Sequence, residues 1–307
     1  MTAASFQSTD GLPDLLNPRL CAIIVTYNPT QSLCGNVARL AAEVAHIFVI
    51  DNGSRGESLR YLTEVGSSVN CSCSYNEKNR GIAAALNQGV ALAIKHGFTW
   101  VITFDQDSTV TGNFVSSMFE CLAATQNADM VGVVGPRYVD QALGVNCDLN
   151  ILPNGELAGM MTSGSLMPIR LFNDVGLFDE RLFMDYVDTE FCNRIRSRGW
   201  RILQSQQTVL LHSLGKLTLH QIFGLKCSTT NHKPGRVYYI ARNRLWILGR
   251  PSLSKSWLIS IKKELTNIFK EASKTILFEH DRLQKLYYMV LGTVDALLGR
   301  MGKRIEL

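Results

Sequence analysis

Two carboxylates separated by one residue follow an apolar run in the first half of the chain. Asp105 and Asp107 flank Gln106 directly after residues 100–104, Trp-Val-Ile-Thr-Phe. Such a run predicts an inner strand of a parallel sheet, and ligands of open α/β sheets bind where the strands end. Carboxylate oxygens are the ligands that hard divalent cations such as Mg²⁺ or Mn²⁺ prefer. The pair therefore predicts a metal site, and an acidic turn that caps the next helix is the alternative.

The same pair of acids is compatible with three kinds of enzyme. It could hold the metal of a sugar-nucleotide transferase or of a nucleotidyltransferase, or supply the aspartyl nucleophile of a haloacid-dehalogenase-type phosphatase. The phosphatase motif normally lies on the first strand and needs a later pair of acids. Here nearly 100 residues with strand and helix patterns precede Asp105, and the chain contains no Gly-Asp or Asp-Asp dipeptide. The context therefore argues against a phosphatase.

Polar clusters also follow two strands that are predicted upstream of the acid pair. Apolar runs at 20–26 and 46–50 end in Thr26-Tyr27-Asn28 and in Asp51-Asn52, and helical patterns separate the predicted strands. Strands that alternate with helices at this spacing predict a parallel, doubly wound α/β sheet. The carboxyl ends of its strands would bring the three polar clusters to one edge, where a nucleotide and a metal could bind.

The composition is that of a folded protein, with 46% hydrophobic and 19% charged residues. Eight cysteines without a C-x-x-C pair indicate reduced thiols and a cytosolic protein rather than a disulfide framework or a zinc site. Residues 1–18 are polar and irregular, which is not typical of a signal peptide. No uninterrupted apolar run reaches about 18 residues, so a transmembrane helix is not expected.

The net charge of +5 is distributed unevenly along the chain. Residues 1–232 contain 16 Lys and Arg against 20 Asp and Glu, whereas residues 233–307 contain 15 against 6. Two helices are predicted in this basic segment, at about 257–277 and 281–298. The segment could pack on the catalytic body or bind peripherally to an anionic inner membrane. Nucleic acid is not expected as a partner, because no recognition motif is present.

The order of the motifs resembles family 2 glycosyltransferases of the GT-A fold, and in particular bacterial rhamnosyltransferases of O-antigen and rhamnolipid synthesis. The matching segments lie at 24–29, 50–54, 79–83, 104–108, 178–180, 185–190, 238–239 and 242–243. The resemblance implies an α/β fold with a doubly wound mixed sheet. We expect an irregular segment at 1–18, a catalytic domain at 19–232 and a basic helical extension at 233–307. The nucleotide-binding half would span about 19–110, and the acceptor half about 111–232.

By resemblance, eight residues would form the nucleotide site: Thr26, Tyr27, Asn28, Asp51, Asn52, Arg80, Asp105 and Gln106. Asp51 would accept a hydrogen bond from the N3–H of a pyrimidine, or it could instead cap the next helix. Arg80 would meet the nucleotide or its phosphates, because Gly81 lets the backbone come close at a helix start. An ordinary surface arginine is the alternative.

The resemblance also implies the metal ligands. Asp107 would bind Mg²⁺ or Mn²⁺ directly, and Asp105 would contact the ribose or a water on the metal. His212, at the end of a predicted strand, would be a further ligand of metal or phosphate, or else a structural histidine. The cation would neutralise the charge that builds up on the departing diphosphate.

Inverting transfer needs a base that takes the proton of the acceptor hydroxyl. Aligning Arg194 with the family pattern puts Asp188 on the catalytic aspartate and Val187 where the family usually has Glu. Asp185 is the second candidate for the base. Because Asp-Thr-Glu also resembles a helix start, Asp188 could cap the following helix as well. Asp179 is expected to shape the turn before this loop.

Seven residues would line the acceptor or donor sugar: Thr162, Ser163, Gly164, Asp185, Tyr238, Arg242 and Asn243. Packing of a helix onto the body is the alternative for the last three. The resemblance implies transfer of L-rhamnose from dTDP-β-L-rhamnose to a glycan or lipid-linked acceptor in O-antigen-like polysaccharide synthesis. The protein would be cytoplasmic or peripheral on the inner membrane. A transferase for another nucleotide sugar, such as a UDP-hexose, and a non-catalytic nucleotide-sugar-binding subunit are the alternatives.

Overall fold

A computed structural model describes residues 18–141, 144–147, 149–212, 218–222, 225–249 and 257–306. Apart from Pro18, the irregular segment that was predicted at 1–18 lies outside the described residues. The first half alternates strands and helices: β1 (Leu20–Thr26), α1 (Ser32–Leu40), β2 (His46–Asp51), α2 (Ser58–Gly66), β3 (Cys71–Tyr75), α3 (Ile82–Lys95) and β4 (Trp100–Asp105). Strand β1 lies between β2 and β4 and is parallel to both. All seven of its residues are buried, as expected for an inner strand.

The second half completes one mixed sheet. Its elements are β5 (Thr109–Val110), α4 (Phe114–Ala123), β6 (Val131–Asp140), β7 (Asn146–Cys147), β8 (Ser165–Pro168), α5 (Ile169–Val175), α6 (Val187–Ser197) and β9 (Arg201–His212). The strand order is β3-β2-β1-β4-β8-β6-β9-β5, and β7 pairs with β6. The strands of the alternating first half are parallel, as predicted, and the sheet is mixed because β8 runs antiparallel to β4 and β6. Strand β8 follows irregular chain rather than a crossover helix, so it need not be parallel.

Three helices and a hairpin form the C-terminal part. Strands β10 (Thr218–Ile222) and β11 (Leu225–Thr229) pair with each other, and α7 (Pro234–Leu248), α8 (Trp257–Phe278) and α9 (Arg282–Leu297) follow. Helices α7 and α9 pack very closely, since a Cβ on Gly292 would lie 2.4 Å from the Tyr238 carbonyl oxygen. None of the helices in the described part of the chain combines the length and the apolar character that a membrane crossing requires.

Two apolar clusters hold these parts together. The large core lies between the sheet and its helices and includes Ile23, Trp100 and Phe114. A second cluster is built around Phe183 and Tyr239, whose ring centroids are 5.0 Å apart. Since Phe183 belongs to the loop before α6 and Tyr239 to α7, this cluster ties the C-terminal helices to the loop that carries the candidate base.

Candidate active site

The acid pair and a histidine meet at one edge of the sheet. Asp105 ends β4 and His212 ends β9, and both strands present their carboxyl ends at this edge. One ligand atom from each of Asp105, Asp107 and His212 lies within 4.8 Å of the other two. Two carboxylates suit Mg²⁺ or Mn²⁺, and an imidazole adds a ligand that transition metals favour. The residues therefore fit a divalent cation.

A chain of hydroxyl groups supports this cluster from behind. Ser108 Oγ lies 3.0 Å from His212 Nδ1 and 2.7 Å from Ser163 Oγ, which in turn accepts from the Asp105 backbone N–H at 3.1 Å. With Nδ1 engaged by Ser108, Nε2 is the nitrogen left to bind a cation. Hydrogen bonds of this kind fix the ring orientation of metal-binding histidines. Ser108 thus positions His212.

Residues 162–164, which were predicted to line a sugar, instead support the candidate metal ligands. Ser163 is 1% exposed, and its carbonyl oxygen accepts from the Tyr138 hydroxyl at 2.9 Å. Gly164 has φ +78°, and a Cβ there would lie 2.9 Å from the Pro136 ring. Ser163 and Gly164 are therefore buried parts of the support, and the prediction that they line a sugar is wrong for this structure. Thr162 remains partly exposed.

The ends of β1 and β4 are joined by a side-chain bridge. The Tyr27 backbone N–H donates to Gln106 Oε1 at 2.8 Å, and Gln106 Nε2 donates to the Tyr27 carbonyl oxygen at 3.3 Å. The Tyr27 ring is 46% exposed beside this bridge. Asn28 is held on the other side, because its side chain accepts from the Arg55 N–H at 3.0 Å. Gln106 is therefore used for positioning, while the Tyr27 ring can contact a ligand.

Asp51 is saturated by donors from its own protein. Thr26 Oγ1 donates to its carboxylate at 2.9 Å, and the N–H groups of Gly53 and Ser54 donate at 3.1 and 2.8 Å. The Ser54 hydroxyl adds a fourth contact. A carboxylate has about four acceptor positions, so a pyrimidine N3–H would have to displace one of these donors. The side chain shapes the turn after β2 rather than capping α2, which begins at Ser58.

Arg80 is exposed beside the start of α3, but the backbone there already contacts other parts of the protein. Arg80 is exposed, and its backbone N–H lies 3.4 Å from Asn52 Oδ1. Asn52 is 3% exposed and also donates to the Gly81 carbonyl oxygen at 3.1 Å. A Cβ on Gly81 would lie 2.3 Å from the Phe183 carbonyl oxygen, which accepts from the Ile82 N–H at 2.8 Å. The close approach at Gly81 is therefore made by Phe183 and not by a phosphate.

Asp188 has the surroundings of a general base. It is the second residue of α6, and Oδ1 accepts from the Thr189 N–H at 2.7 Å. Burial raises the pKa of the Asp188 carboxyl, and the hydrogen bond from Thr189 opposes that rise. Apolar side chains that include Met160 and Phe191 line a small void beside it. Tyr186 occupies the cap position of α6, so the predicted cap role of Asp188 is wrong.

The second candidate, Asp185, is engaged by a cation. Arg236 of α7 donates to its carboxylate through Nε and Nη2 at 2.9 to 3.2 Å. Accepting a proton would break this two-nitrogen pair, so Asp185 is the poorer base. Asp179 shapes the preceding turn as expected, because it accepts from the backbone N–H of Arg181 and pairs with the Arg181 side chain at 2.8 Å.

The candidate base and the candidate metal ligands are coupled electrostatically. Burial raises the pKa of Asp105 to about 6, and the carboxylates of Asp107 and Asp188 add to the rise. His212 and Arg236 oppose it. Asp188 and Arg236 therefore lie within electrostatic range of Asp105. The candidate base and the candidate cation site influence each other's charge.

Comparison with known proteins also indicates a glycosyltransferase. Residues 21–164 match the family described as Glycosyl transferase family 2. Residues 21–164 therefore correspond to a family 2 glycosyltransferase domain. It is 26% identical to the dTDP-rhamnosyl transferase RfbF of Shigella flexneri over 94% of this chain and 98% of that protein. It is 23% identical to the galactofuranosyltransferase GlfT1 of Mycobacterium tuberculosis over 76% of this chain and 83% of that protein.

Solved structures show that the glycosyltransferase has the GT-A fold. The S. aureus TarS fragment 1–349 in complex with UDP-GlcNAc superimposes with a TM-score of 0.60 and 14% identity, over 91% of this chain and 81% of that chain. The mannosyltransferase PcManGT from Pyrobaculum calidifontis, in complex with GDP-Man and Mn2+, gives 0.56 and 13% over 92% and 88%. The predicted fold class is therefore confirmed.

Side chains of α7 support the loop that precedes α6. Tyr238, Arg242 and Asn243 are fully buried, so the prediction that they line a sugar is wrong for this structure. Asn243 Nδ2 donates to the carbonyl oxygens of Leu182, Met184 and Asp185 at 2.7 to 3.0 Å. In this loop Phe183, Asp185 and Tyr186 have φ between 55° and 63°. Non-glycine residues adopt such angles at a cost, and the surrounding contacts must hold them there.

Sequence reasoning missed Arg236. It lies two residues before Tyr238, in the first turn of α7, and it meets Asp185 across 51 residues of sequence. No spacing rule connects the two positions. The unusual density of basic residues after 232 was the available signal, and it was interpreted as a surface property.

Proposed function

We propose that this glycosyltransferase moves L-rhamnose from dTDP-β-L-rhamnose to a hydroxyl of a glycan or lipid-linked acceptor, in the synthesis of a cell-surface polysaccharide such as an O antigen. The chemistry rests on one observation, the position of Asp188 beside the cluster of Asp105, Asp107 and His212. The donor rests on similarity along nearly the whole chain to a dTDP-rhamnosyl transferase.

The proposed reaction is a single displacement with inversion. Asp188 takes the proton of the acceptor hydroxyl, whose oxygen attacks the anomeric carbon from the face opposite the diphosphate, leaving an α-linkage. Asp105, Asp107 and His212 would hold Mg²⁺ or Mn²⁺. When bound, such a cation supplies positive charge to the leaving diphosphate.

The nucleotide would lie along the rim between β1, β2 and α3. The exposed ring of Tyr27 can stack on the base, and Thr26 and Asn28 shape the neighbouring turn. Arg80 at the start of α3 and Arg236 beside Asp185 are the cations that would contact the diphosphate. Arginine suits phosphate oxygens because its planar fork can donate two hydrogen bonds at once.

We also propose that the C-terminal helices attach the enzyme to an anionic membrane surface, at the cytoplasmic face of the inner membrane. Five apolar side chains of α9, between 42% and 85% exposed, recur at helical spacing: Leu283, Tyr287, Val290, Val294 and Leu297. The basic excess of residues 233–307 complements anionic lipid. An apolar stripe with surrounding positive charge is typical of helices that lie in the membrane interface.

A panel of nucleotide sugars tests the donor. Purified enzyme with Mn²⁺ or Mg²⁺ is incubated with dTDP-L-rhamnose, UDP-galactose, UDP-GlcNAc and GDP-mannose, and the released nucleotide diphosphate is measured. We expect binding and slow hydrolysis of dTDP-L-rhamnose. A UDP-hexose such as UDP-galactose is the second candidate. Hydrolysis of a UDP-sugar without any response to dTDP-L-rhamnose would contradict the proposed donor.

A further inference from the structure

A cavity lies beside the candidate base. Its volume is about 590 Å³, and Asp185, Asp188 and Thr189 form one of its walls. Sites for small molecules typically measure about 300–1,000 Å³. Asp188 lines this cavity and also influences the charge of Asp105, one of the candidate metal ligands. A group inside the cavity can therefore contact the candidate base.

The C-terminal helices supply most of the remaining wall. Helix α7 contributes Ile240, α8 contributes Thr275 and α9 contributes Met289. Thr230, from the segment after β11, lies on the same wall. The helical extension thus completes a space that begins at the catalytic loop, in addition to any contact it makes with a membrane.

Acids outnumber permanent cations in the lining of the cavity. Arg244 is 8% exposed and donates to the Glu271 carboxylate at 2.6 and 2.8 Å. The other acids of the lining are Asp185, Asp188 and Glu279, and its other permanent cation is Lys274. The cavity therefore does not offer an anion a concentrated positive charge.

Apart from the charged groups, Tyr186 and His232, the lining combines hydroxyl groups with small apolar surfaces. Thr189, Thr230 and Thr275 bring hydroxyls, while Ile240 and Met289 bring apolar contact. A sugar ring presents hydroxyls at its rim and C–H groups on its faces, so this mixture complements it. Polar groups can then be buried with partners rather than at the cost of lost hydrogen bonds.

We propose that this cavity is the acceptor site and that it holds an uncharged sugar residue of the acceptor glycan. The inference rests on the proposed function, because it uses Asp188 as the base. The acceptor O–H bond breaks, with the proton passing to the Asp188 carboxylate. The oxygen forms a bond to the anomeric carbon, and the pair of electrons of the broken carbon–oxygen bond leaves on the diphosphate.

Cavity-filling variants test the site. Wild type, Thr275→Trp and Thr230→Trp are assayed with dTDP-L-rhamnose and three octyl glycosides, of L-rhamnose, D-glucose and N-acetyl-D-glucosamine. Lys270→Trp, at an exposed position of the same helix α8, is the control. We expect kcat/KM for the octyl glycoside to fall by about tenfold or more in the two cavity variants, with the KM for the donor unchanged. The control variant should match wild type.

Each outcome separates the inference from the proposed function. Donor hydrolysis that is absent in wild type contradicts the proposed function. Hydrolysis without transfer to any octyl glycoside contradicts an uncharged sugar acceptor, and unchanged transfer in both cavity variants contradicts the site. If thermal melting shows that the Trp variants do not fold, Thr275→Val and Thr230→Val replace them. These keep the side-chain shape, and a raised KM for the octyl glycoside alone is then expected.

Discussion

Arg236 donates two nitrogen atoms to the carboxylate of Asp185, at 2.9 to 3.2 Å, and so separates the roles of two acids in one loop. Asp188, three residues later, lines the proposed acceptor cavity and a small void with apolar walls. Asp185 is committed to an ion pair that anchors the loop to α7. Asp188 is the proposed base.

Replacing Asp188 by Asn should abolish transfer and leave donor binding intact. Loss of a general base typically lowers kcat by about 10²–10⁴-fold. Asp185→Asn is the matched comparison, and we expect a smaller loss because it removes an anchor rather than the base. Steady-state kinetics and a fluorescence titration of the donor would measure both effects. A greater loss in Asp185→Asn than in Asp188→Asn would reverse the assignment.

Asp188 should also connect activity to pH and to stability. Burial raises the pKa of this carboxyl. The pKa that governs the fall of kcat in acid should therefore lie above the ordinary aspartate pKa of about 3.9. A raised pKa in the folded state means that the protonated form stabilises the fold, and this stabilisation is lost as pH rises through the folded pKa. Asp188→Asn should therefore melt at a higher temperature than wild type at neutral pH.

The same comparison at low pH provides the control. Below the unfolded pKa both proteins carry an uncharged side chain at position 188, so their melting temperatures should converge. Differential scanning calorimetry between about pH 3 and about pH 8, a range that spans the ordinary aspartate pKa of about 3.9 and neutrality, would show this trend. A difference that grows toward acid pH would mean that the carboxylate is stabilised in the fold instead.

Ser108 should act on the metal through His212. Removing its hydroxyl with Ser108→Ala frees the imidazole ring, and loss of such a support typically weakens metal affinity by about 10–100-fold. The expected result is a higher Mn²⁺ concentration at half-maximal donor hydrolysis, with the original rate recovered at saturating Mn²⁺. Ser116→Ala, at an exposed position of α4, is the control. An unshifted Mn²⁺ titration would remove Ser108 from the metal site.

The acid pair could be predicted as a candidate metal site from its place at the end of β4, whereas His212 was predicted as a ligand by resemblance to the family. Asp105 and His212 lie together because both end strands, and strands that run in the same direction end at the same edge of a sheet. The separation along the sequence does not matter to that argument. The same rule brought Thr26 and Asp51 together, since these two residues pair in the register of β1 and β2.

The role of α7 could not be predicted in this way. Arg242 and Asn243 were recognised as a motif, but their partners are the carbonyl oxygens of Gly302 and Leu182, about 60 residues away in either direction. Such contacts leave no periodic pattern in the local sequence. Only the tertiary structure distinguishes a residue that holds the loop from one that contacts a sugar.

Asn243 should therefore affect the loop rather than the ligand. Asn243→Ala leaves buried carbonyl oxygens without a donor, which should lower the free energy of unfolding by roughly 1–3 kcal/mol. Because the loop carries Asp188, kcat should fall while the KM for the donor stays close to wild type. Asn267→Ala, at a partly exposed position of α8, is the control. A raised donor KM with normal kcat would instead indicate direct contact with the nucleotide sugar.

The apolar stripe of α9 should bind anionic lipid. Wild type should sediment with vesicles that contain phosphatidylglycerol and much less with pure phosphatidylcholine, and added salt should weaken the binding because charges at a surface are screened. Leu283→Asp combined with Val290→Asp should leave the protein in the supernatant. Leu59→Asp combined with Ile94→Asp, at exposed apolar positions of α2 and α3, is the control. Equal binding to both vesicle types, or self-association that the α9 substitutions abolish, would show that the stripe serves another partner.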